Sequence, residues 1–284
     1  VENRRVIDSI GVDPDLIIKP FGHAGDNTTL REFTRNASNQ HHGMQAEEIF
    51  DLDPERGLDY DQDGITHELS RGDITAMTIF QASLAMPIRI RPDNRVDRGK
   101  VNNGMELFST IDCASCHTPE MRLSSPIFDD GESLAFDMST TGEEGRLVVG
   151  RRNTVVVNAY TDLKMHNLCD PIEMPDAIRH FCNERHPDDG RRTQLTEARE
   201  SRPGLEFFQT AKLWVVGNTP PYGHRGDLTS IDAAILAHGG DARASRDAYA
   251  ALQLSDREDL VRFLNTLQAP EIEGNLLLDG VVVQ

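Results

Sequence analysis

Cys113-Ala114-Ser115-Cys116-His117 is the stretch on which the reading of this chain turns. Two thiols at this spacing lie about one helical turn apart, so each can add to a vinyl group of the same porphyrin. The histidine that follows then places an imidazole beneath the metal. A zinc or redox Cys-x-x-Cys is the competing reading. His117, the apolar helix carrying Phe108 just upstream and the Thr118-Pro119 turn just downstream decide for haem. The expectation is one haem c, attached through Cys113 and Cys116, with His117 on the iron.

Working outward, Val101, Met105 and Phe108 mark an amphipathic helix that runs into Cys113. Ser255-Asp256-Arg257-Glu258 reads as a capping box, followed by Leu260, Phe263, Leu264 and Leu267 on one helical face. A helix before the motif and a terminal helix crossing it resemble the small haem domains of cytochrome c. The expected fold is therefore mainly α: a cytochrome c-like mono-haem domain over residues 93–270, with a long loop-rich insert at about 120–205 and a few short strands. Val155-Val156-Val157 is one expected strand. Residues 1–92 form a separate helical and loop region. It contains a short apolar run, Leu16-Ile17-Ile18, that reads as a strand. One helix starts at Thr28 or Thr29 and carries Leu30 and Phe33. Another is capped by Asp73, carries Ile74, Met77, Phe80 and Leu84, and is stopped by Pro87. Arg89 to Arg98 reads as a linker. The tail, 271–284, ends in Val281-Val282-Val283, a strand to be added to a neighbouring sheet.

The charge balance limits the partners. Asp and Glu number 47 against 29 Lys and Arg, for a formal net charge of −18. Nucleic acid and anionic membranes both call for a basic face, so they are excluded. A redox partner with a basic docking face suits this surface, and plain solvation is the alternative. No apolar run reaches the roughly 18 residues of a membrane span. Covalent haem attachment takes place on the oxidising side of a membrane, which implies a periplasmic or extracellular protein whose export signal has been removed. Of the four cysteines, Cys169 and Cys182 lie outside the motif. In an exported chain they are expected to pair as a disulfide, contributing on the order of 3 kcal/mol. Two buried thiols are the alternative. Asp59-x-Asp61-x-Asp63-Gly64 opens like a calcium loop, with carboxylates at alternate positions and a glycine at the sharp turn. The twelfth position is Ser70, so Glu68 or Asp73 would have to close the site; an acidic turn capping the next helix is the other reading. His41-His42 reads as a surface pair, or as neighbours of a second haem.

Further motifs carry a resemblance. They are Lys19-Pro20-Phe21-Gly22, Thr29-Leu30-Arg31-Glu32-Phe33, Gly72-Asp73-Ile74-Thr75-Ala76 and Tyr160-Thr161-Asp162-Leu163. With them go Leu213-Trp214-Val215-Val216-Gly217-Asn218-Thr219-Pro220-Pro221-Tyr222, His224-Arg225-Gly226 and Ala234-Ile235-Leu236-Ala237-His238-Gly239-Gly240. Together they resemble the di-haem oxidoreductase family, related to bacterial di-haem cytochrome c peroxidases, over most of residues 15–268. The family has two haem domains. This chain has one attachment motif, which matches the C-terminal one, so the resemblance implies an N-terminal haem domain upstream of Val1 that is cleaved, lost or supplied by another chain. In the related peroxidases a Tyr-x-His-x-Gly turn precedes, by one helix, the sixth iron ligand. Here that turn is Tyr222-Gly223-His224-Arg225-Gly226, Thr229 caps the helix, and the ligand position falls on His238. Met165, His166, Met174 and His224 are the rivals. Trp214 is expected to be a core tryptophan, or to lie against the haem on an electron path.

Three functions compete. An electron-transfer cytochrome needs two permanent axial ligands. A peroxidase-like enzyme needs a displaceable sixth ligand and an acid–base residue, which the sequence does not identify; Glu173 and His166 are weak candidates. A structural haem-bearing subunit would use the acidic surface and valine-rich tail as contacts.

Overall fold

Capping chemistry sets the helices that precede the motif. The computed structural model describes residues 17–22, 25–50, 63–65, 68–84, 86–132, 135–139, 154–168, 207–223, 226–270, 276–278 and 281–283. In α1 (Leu30–His42) the Thr29 hydroxyl accepts from the Glu32 N–H, and Gly43, at φ +70°, ends the helix in the left-handed region. α2 is one turn (Glu47–Phe50). α3 (Arg71–Ala82) begins with a reciprocal box between Ser70 and Asp73. Asp73, expected as the cap itself, is the third helical residue, because Ser70 upstream supplies the hydroxyl. Ile17 and Ile18 are not in a strand; Leu16 lies outside the described residues.

A buried ion cluster joins these three helices. Arg31 of α1 pairs with Glu48 of α2 and, at 2.9 Å, with Asp130; it also donates to Thr75 of α3 at 2.9 Å. Arg31, Glu48 and Asp130 are all buried. The hydrogen bond to Glu48 is the main reason that the Arg31 guanidinium is held even more firmly protonated than usual. Such a cluster specifies the arrangement strongly, since removing one partner leaves an uncompensated buried charge.

α4 (Arg95–Thr110) carries the chain to the motif. It starts inside the stretch expected as a linker, because the Asn94 side chain accepts from the Asp97 N–H at 2.8 Å and nucleates it. Val101 and Phe108 are buried as expected, while Met105 is exposed, with Arg89 against its sulfur. Three helices follow the insert: α5 (Ile231–Leu236), α6 (Arg243–Ala251) and α7 (Leu254–Leu264). Ser230 caps α5 in place of Thr229. α7 starts one residue ahead of the expected Ser255 box, with Gln253 at the cap position and no side-chain cap bond.

α4 and α7 cross in direct backbone contact. A Cβ at Gly104 would lie 2.1 Å from the Asp259 carbonyl oxygen, so only glycine allows this approach. Around the crossing, Val101, Phe108, Ile111, Tyr160, Ile231, Tyr249, Leu260, Phe263, Leu264 and Leu267 form the main core. Phe108 meets Phe263 edge-on at 5.6 Å and Tyr160 at 6.1 Å.

Among the described residues every sheet is an antiparallel pair. β1 (Ile88–Arg89) joins β8 (Leu267–Gln268), tying the entrance of α4 to the exit of α7. Within the insert, β2 (Met121–Leu123) pairs with β5 (Val155–Val157), β3 (Ile127–Asp129) with β4 (Ala135–Asp137), and β6 (Met165–Asn167) with β7 (Phe207–Gln209). In the tail, β9 (Leu276–Leu278) pairs with β10 (Val281–Val283), so the terminal valines close their own hairpin instead of joining a neighbouring sheet. The fold is therefore a mixture of helices and short antiparallel pairs, with more pairing in the insert than its loop-rich composition suggests. No described helix is long and apolar enough to cross a membrane.

Candidate functional site

Between α4, α5, α6, α7 and the insert lies a cavity of about 490 Å³. Its wall is mostly apolar, with Phe108, Phe208, Leu213, Val216, Ile231 and Ile235 among the lining residues. Cys113, Cys116, His117 and His238 all line it, and so do Trp214 and His166. The structure thus gathers four residues spread over 126 positions of sequence around one space.

Local geometry explains how the motif reaches the wall. α4 ends at Ile111, and Asp112 reverses the chain at φ +67°, a conformation rare for a residue with a side chain. Cys113–Ser115 then form one 3₁₀ turn, with the Cys116 N–H donating to the Cys113 carbonyl, and the His117 N–H donates to the same carbonyl at 3.0 Å. Burial, with Asp112 alongside, pushes the Cys113 thiol up to about 11, so it is neutral at ordinary pH.

The two histidines are held alike. His117 Nδ1 is 3.0 Å from the Tyr160 carbonyl oxygen, and His238 Nδ1 is 2.7 Å from that of Ala234. A carbonyl only accepts, so each Nδ1 carries the proton and Nε2 is the nitrogen that would take a metal. Burial, with His238 nearby, pushes His117 down to about 4; burial also lowers His238. Both are therefore neutral, the form that ligates. Their ring centroids are 6.5 Å apart. A metal–imidazole bond is about 2 Å, and roughly 1 Å from nitrogen to ring centre on each side places two rings sharing one ion about 6 Å apart. The residues fit a haem: an apolar slot, two adjacent thiols at one edge, and two neutral imidazoles one metal ion apart.

Tyr160 earns its place through its backbone. It adopts φ +49°, and the Thr161 N–H donates to the Thr118 carbonyl at 3.0 Å, which lays this part of the insert beside the motif. The Thr161 hydroxyl donates to the Thr210 carbonyl at 2.6 Å in the buried interior. Trp214 lines the cavity yet is 38% exposed, its indole N–H donating to the Asn158 carbonyl at 3.1 Å. It is therefore not a plain core residue.

Of the rival ligands, Met165 lies in β6 beside Gly25 and is not in the cavity wall. His166 is in the wall, but its Nε2 bonds Asp162 at 2.9 Å, and its Nδ1 is 4.0 Å from Cys116 Sγ. The Asp162 bond, then the Cys116 contact, raise His166 to about 10, so it is a cation beside the cavity. Cys116, Asp162 and His166 are the cluster with metal-ligand spacing among the described residues. Thioether formation at Cys116 would remove that sulfur from such a role. His224, Met174 and Glu173 lie outside the described residues, as do both members of the expected Cys169–Cys182 disulfide. So do Asp59 and Asp61 of the acidic run. Asp63 accepts from the Ile65 N–H and Glu68 from the Gln45 N–H, each at 2.7 Å. His41 and His42 are exposed at the C-terminus of α1, where positive charge is favoured.

Sequence reasoning missed two contributors. The carbonyl of Tyr160 carries no side-chain signal, although the residue sits in a motif of the resemblance. Arg246, buried in the cavity wall, shares its helix with Arg243 and lies in none of the motifs quoted above. A family model described as "Di-haem oxidoreductase, putative peroxidase" matches residues 61–267. No curated protein matches the chain.

Proposed function

Because the chain belongs to the di-haem oxidoreductase family, we propose that it is an electron-transfer unit of c type, holding one haem through Cys113 and Cys116 with the iron between His117 and His238. The observation that carries this reading is the pair of neutral imidazoles facing one another at 6.5 Å across the cavity. When bound, the haem supplies a one-electron couple, and the protein supplies attachment, ligands and a dry surrounding. The Tyr160 and Ala234 carbonyls fix the tautomer and aim of the two imidazoles. His117 and His238 would both hold the iron, so little would have to rearrange when an electron enters or leaves. Phe108, Ile231, Ile235, Leu260 and Leu264 exclude water from the wall, while Trp214 reaches from the cavity to the surface.

The family name specifies two haems, and this sequence contains one Cys-x-x-Cys-His. On this reading a second haem would sit on another domain or subunit that exchanges electrons with this one. The acidic surface suits a partner with a basic docking face, and covalent haem attachment would go with a periplasmic or extracellular location.

A peroxidase-like reaction is the second reading, favoured by the description of the family and by the Asp162–His166 pair in the cavity wall. That chemistry needs a sixth ligand that leaves and a group that shuttles a proton to the splitting O–O bond. The ferric absorption and EPR spectra separate the two. Electron transfer predicts a low-spin signal indifferent to peroxide and cyanide, and a reduced form indifferent to carbon monoxide. A high-spin signal that changes on adding peroxide would sink it in favour of the enzyme.

A further inference from the structure

The short helix α5 keeps different company on its two sides. Ile231, Ala234, Ile235 and His238, at i, i+3, i+4 and i+7, all line the cavity. Asp232 lies off that stripe, in a second cleft shared with Tyr249 of α6 and Arg257 of α7. There one carboxylate oxygen of Asp232 accepts from the Tyr249 hydroxyl and from the Arg257 guanidinium, each at 2.6 Å. The guanidinium also lies over the Tyr249 ring, 4.9 Å from its centroid. Tyr249 is fully buried in the main core, so its hydroxyl depends on this acceptor. Among the described residues Asp232 is also the acid that pairs with Arg257. One carboxylate on α5 is thus held by α6 and α7 together.

α5 needs that hold. It has six residues, and isolated helices shorter than about 12–15 residues are marginal in water. Ile231 is its one buried residue, with Ile235 and Leu236 partly buried against the core. His238 follows α5 closely: its N–H donates to the Ile235 carbonyl at 3.2 Å, and its Nδ1 is bonded to the Ala234 carbonyl. A shift of α5 therefore moves the imidazole with it, and a metal–nitrogen bond of about 2 Å tolerates little displacement. We propose that Asp232 is a positioning residue for the sixth ligand: by gripping Tyr249 and Arg257 it seats α5 at the depth where His238 and His117 can share one iron. Asp232 is not in the cavity wall, so it acts through α5. The inference rests on the two-histidine reading given above.

The test uses the haem-loaded chain with Asp232→Ala and Tyr249→Phe, and with Arg31→Leu as a variant weakened in a different part of the molecule. EPR gives the ferric spin state, and a cyanide titration reports how readily the sixth position opens. A hydrogen bond to a charged group is worth about tenfold in an equilibrium, so Asp232→Ala is expected to bind cyanide about tenfold more tightly than the parent and to show a high-spin fraction. Tyr249→Phe should shift both readouts the same way by a smaller factor, and Arg31→Leu should shift neither. An Asp232→Ala protein as low-spin and as closed to cyanide as the parent overturns the proposal. So does equal opening in Arg31→Leu, since general loosening would then be responsible. If Asp232→Ala does not fold, Tyr249→Phe, smaller by one oxygen, decides alone, and an unchanged cyanide affinity there overturns it. Wild-type protein that is already high-spin, or binds no haem, defeats the two-histidine reading instead, so the two failures are distinct.

Discussion

Gly104→Ala sets two opposed effects of known size against each other. Alanine improves helix propensity by about 1 kcal/mol over glycine in a helix interior, so on α4 alone the change stabilises. At the crossing the new carbon would lie 2.1 Å from the Asp259 carbonyl oxygen and 2.9 Å from Leu260 Cα. Carbon–oxygen contacts settle at about 3.3 Å, so the two helices must part by roughly 1 Å. A gap of that size forfeits about a quarter to a half of the dispersion well for atoms facing it. The facing atoms belong to Val101, Phe108, Leu260, Phe263 and Leu264. Over these side chains the loss is about 2–3 kcal/mol, and overpacking strain adds about 1 kcal/mol or more. The net expectation is a destabilisation of about 2–4 kcal/mol, which lowers Tm by on the order of 10 °C for a domain of this size. Guanidinium unfolding of the ferric protein, followed by far-UV circular dichroism and by the Soret band, measures it. A variant as stable as the parent, or more so, would refute the close crossing and with it the account of how α7 is seated over the motif.

His238→Met should keep six-coordination and raise the potential, because a thioether favours ferrous iron; a potentiometric titration that finds spectrum and potential both unchanged removes His238 from the iron. Asp162→Asn should bring His166 down from its raised value toward the ordinary histidine range, readable by NMR on the reduced, diamagnetic protein. Since the folded pKa is the higher one, the stabilisation from this pair is fully present below about pH 6.5 and is lost as pH rises through about 10. The variant should lose that dependence, and an unaltered His166 titration would rule out Asp162 as its cause. Arg31→Leu should destabilise the α1–α3 region by about 3–5 kcal/mol, by leaving Glu48 and Asp130 buried without their cation. Hydrogen exchange localises that effect, and unchanged protection of α1 and α3 would show the cluster to be idle.

Much of the site was legible because its chemistry is local. Five consecutive residues mark the two thiols and the histidine that the structure sets in the cavity wall, and the Leu260, Phe263, Leu264 face announces the helix that packs behind them. His238 needed the resemblance: nothing in a histidine before two glycines says that it lies across from His117, since that depends on how α5 is placed. Helix starts were readable to within a few residues, and two of the misses share a cause. Thr229 and Ser230, or Asp73 and Ser70, are all competent caps, and tertiary packing decides which is used. The strand pairs of the insert were mostly invisible, because runs of three residues such as Met165–Asn167 show no alternation and gain their partners only from segments some forty positions away.

The bond from His117 to the Tyr160 carbonyl has a mechanical consequence. The residue that steers this imidazole does not lie on a helix of the frame; it follows, three residues on, the strand Val155–Val157 that pairs with Met121–Leu123, and its neighbour Thr161 is anchored to Thr210. A push on that outer ribbon would reach the imidazole through this carbonyl and change how strongly its other ring nitrogen could give electrons to a bound metal. A docking protein that leans on the ribbon would therefore retune the centre from a distance, without ever touching it.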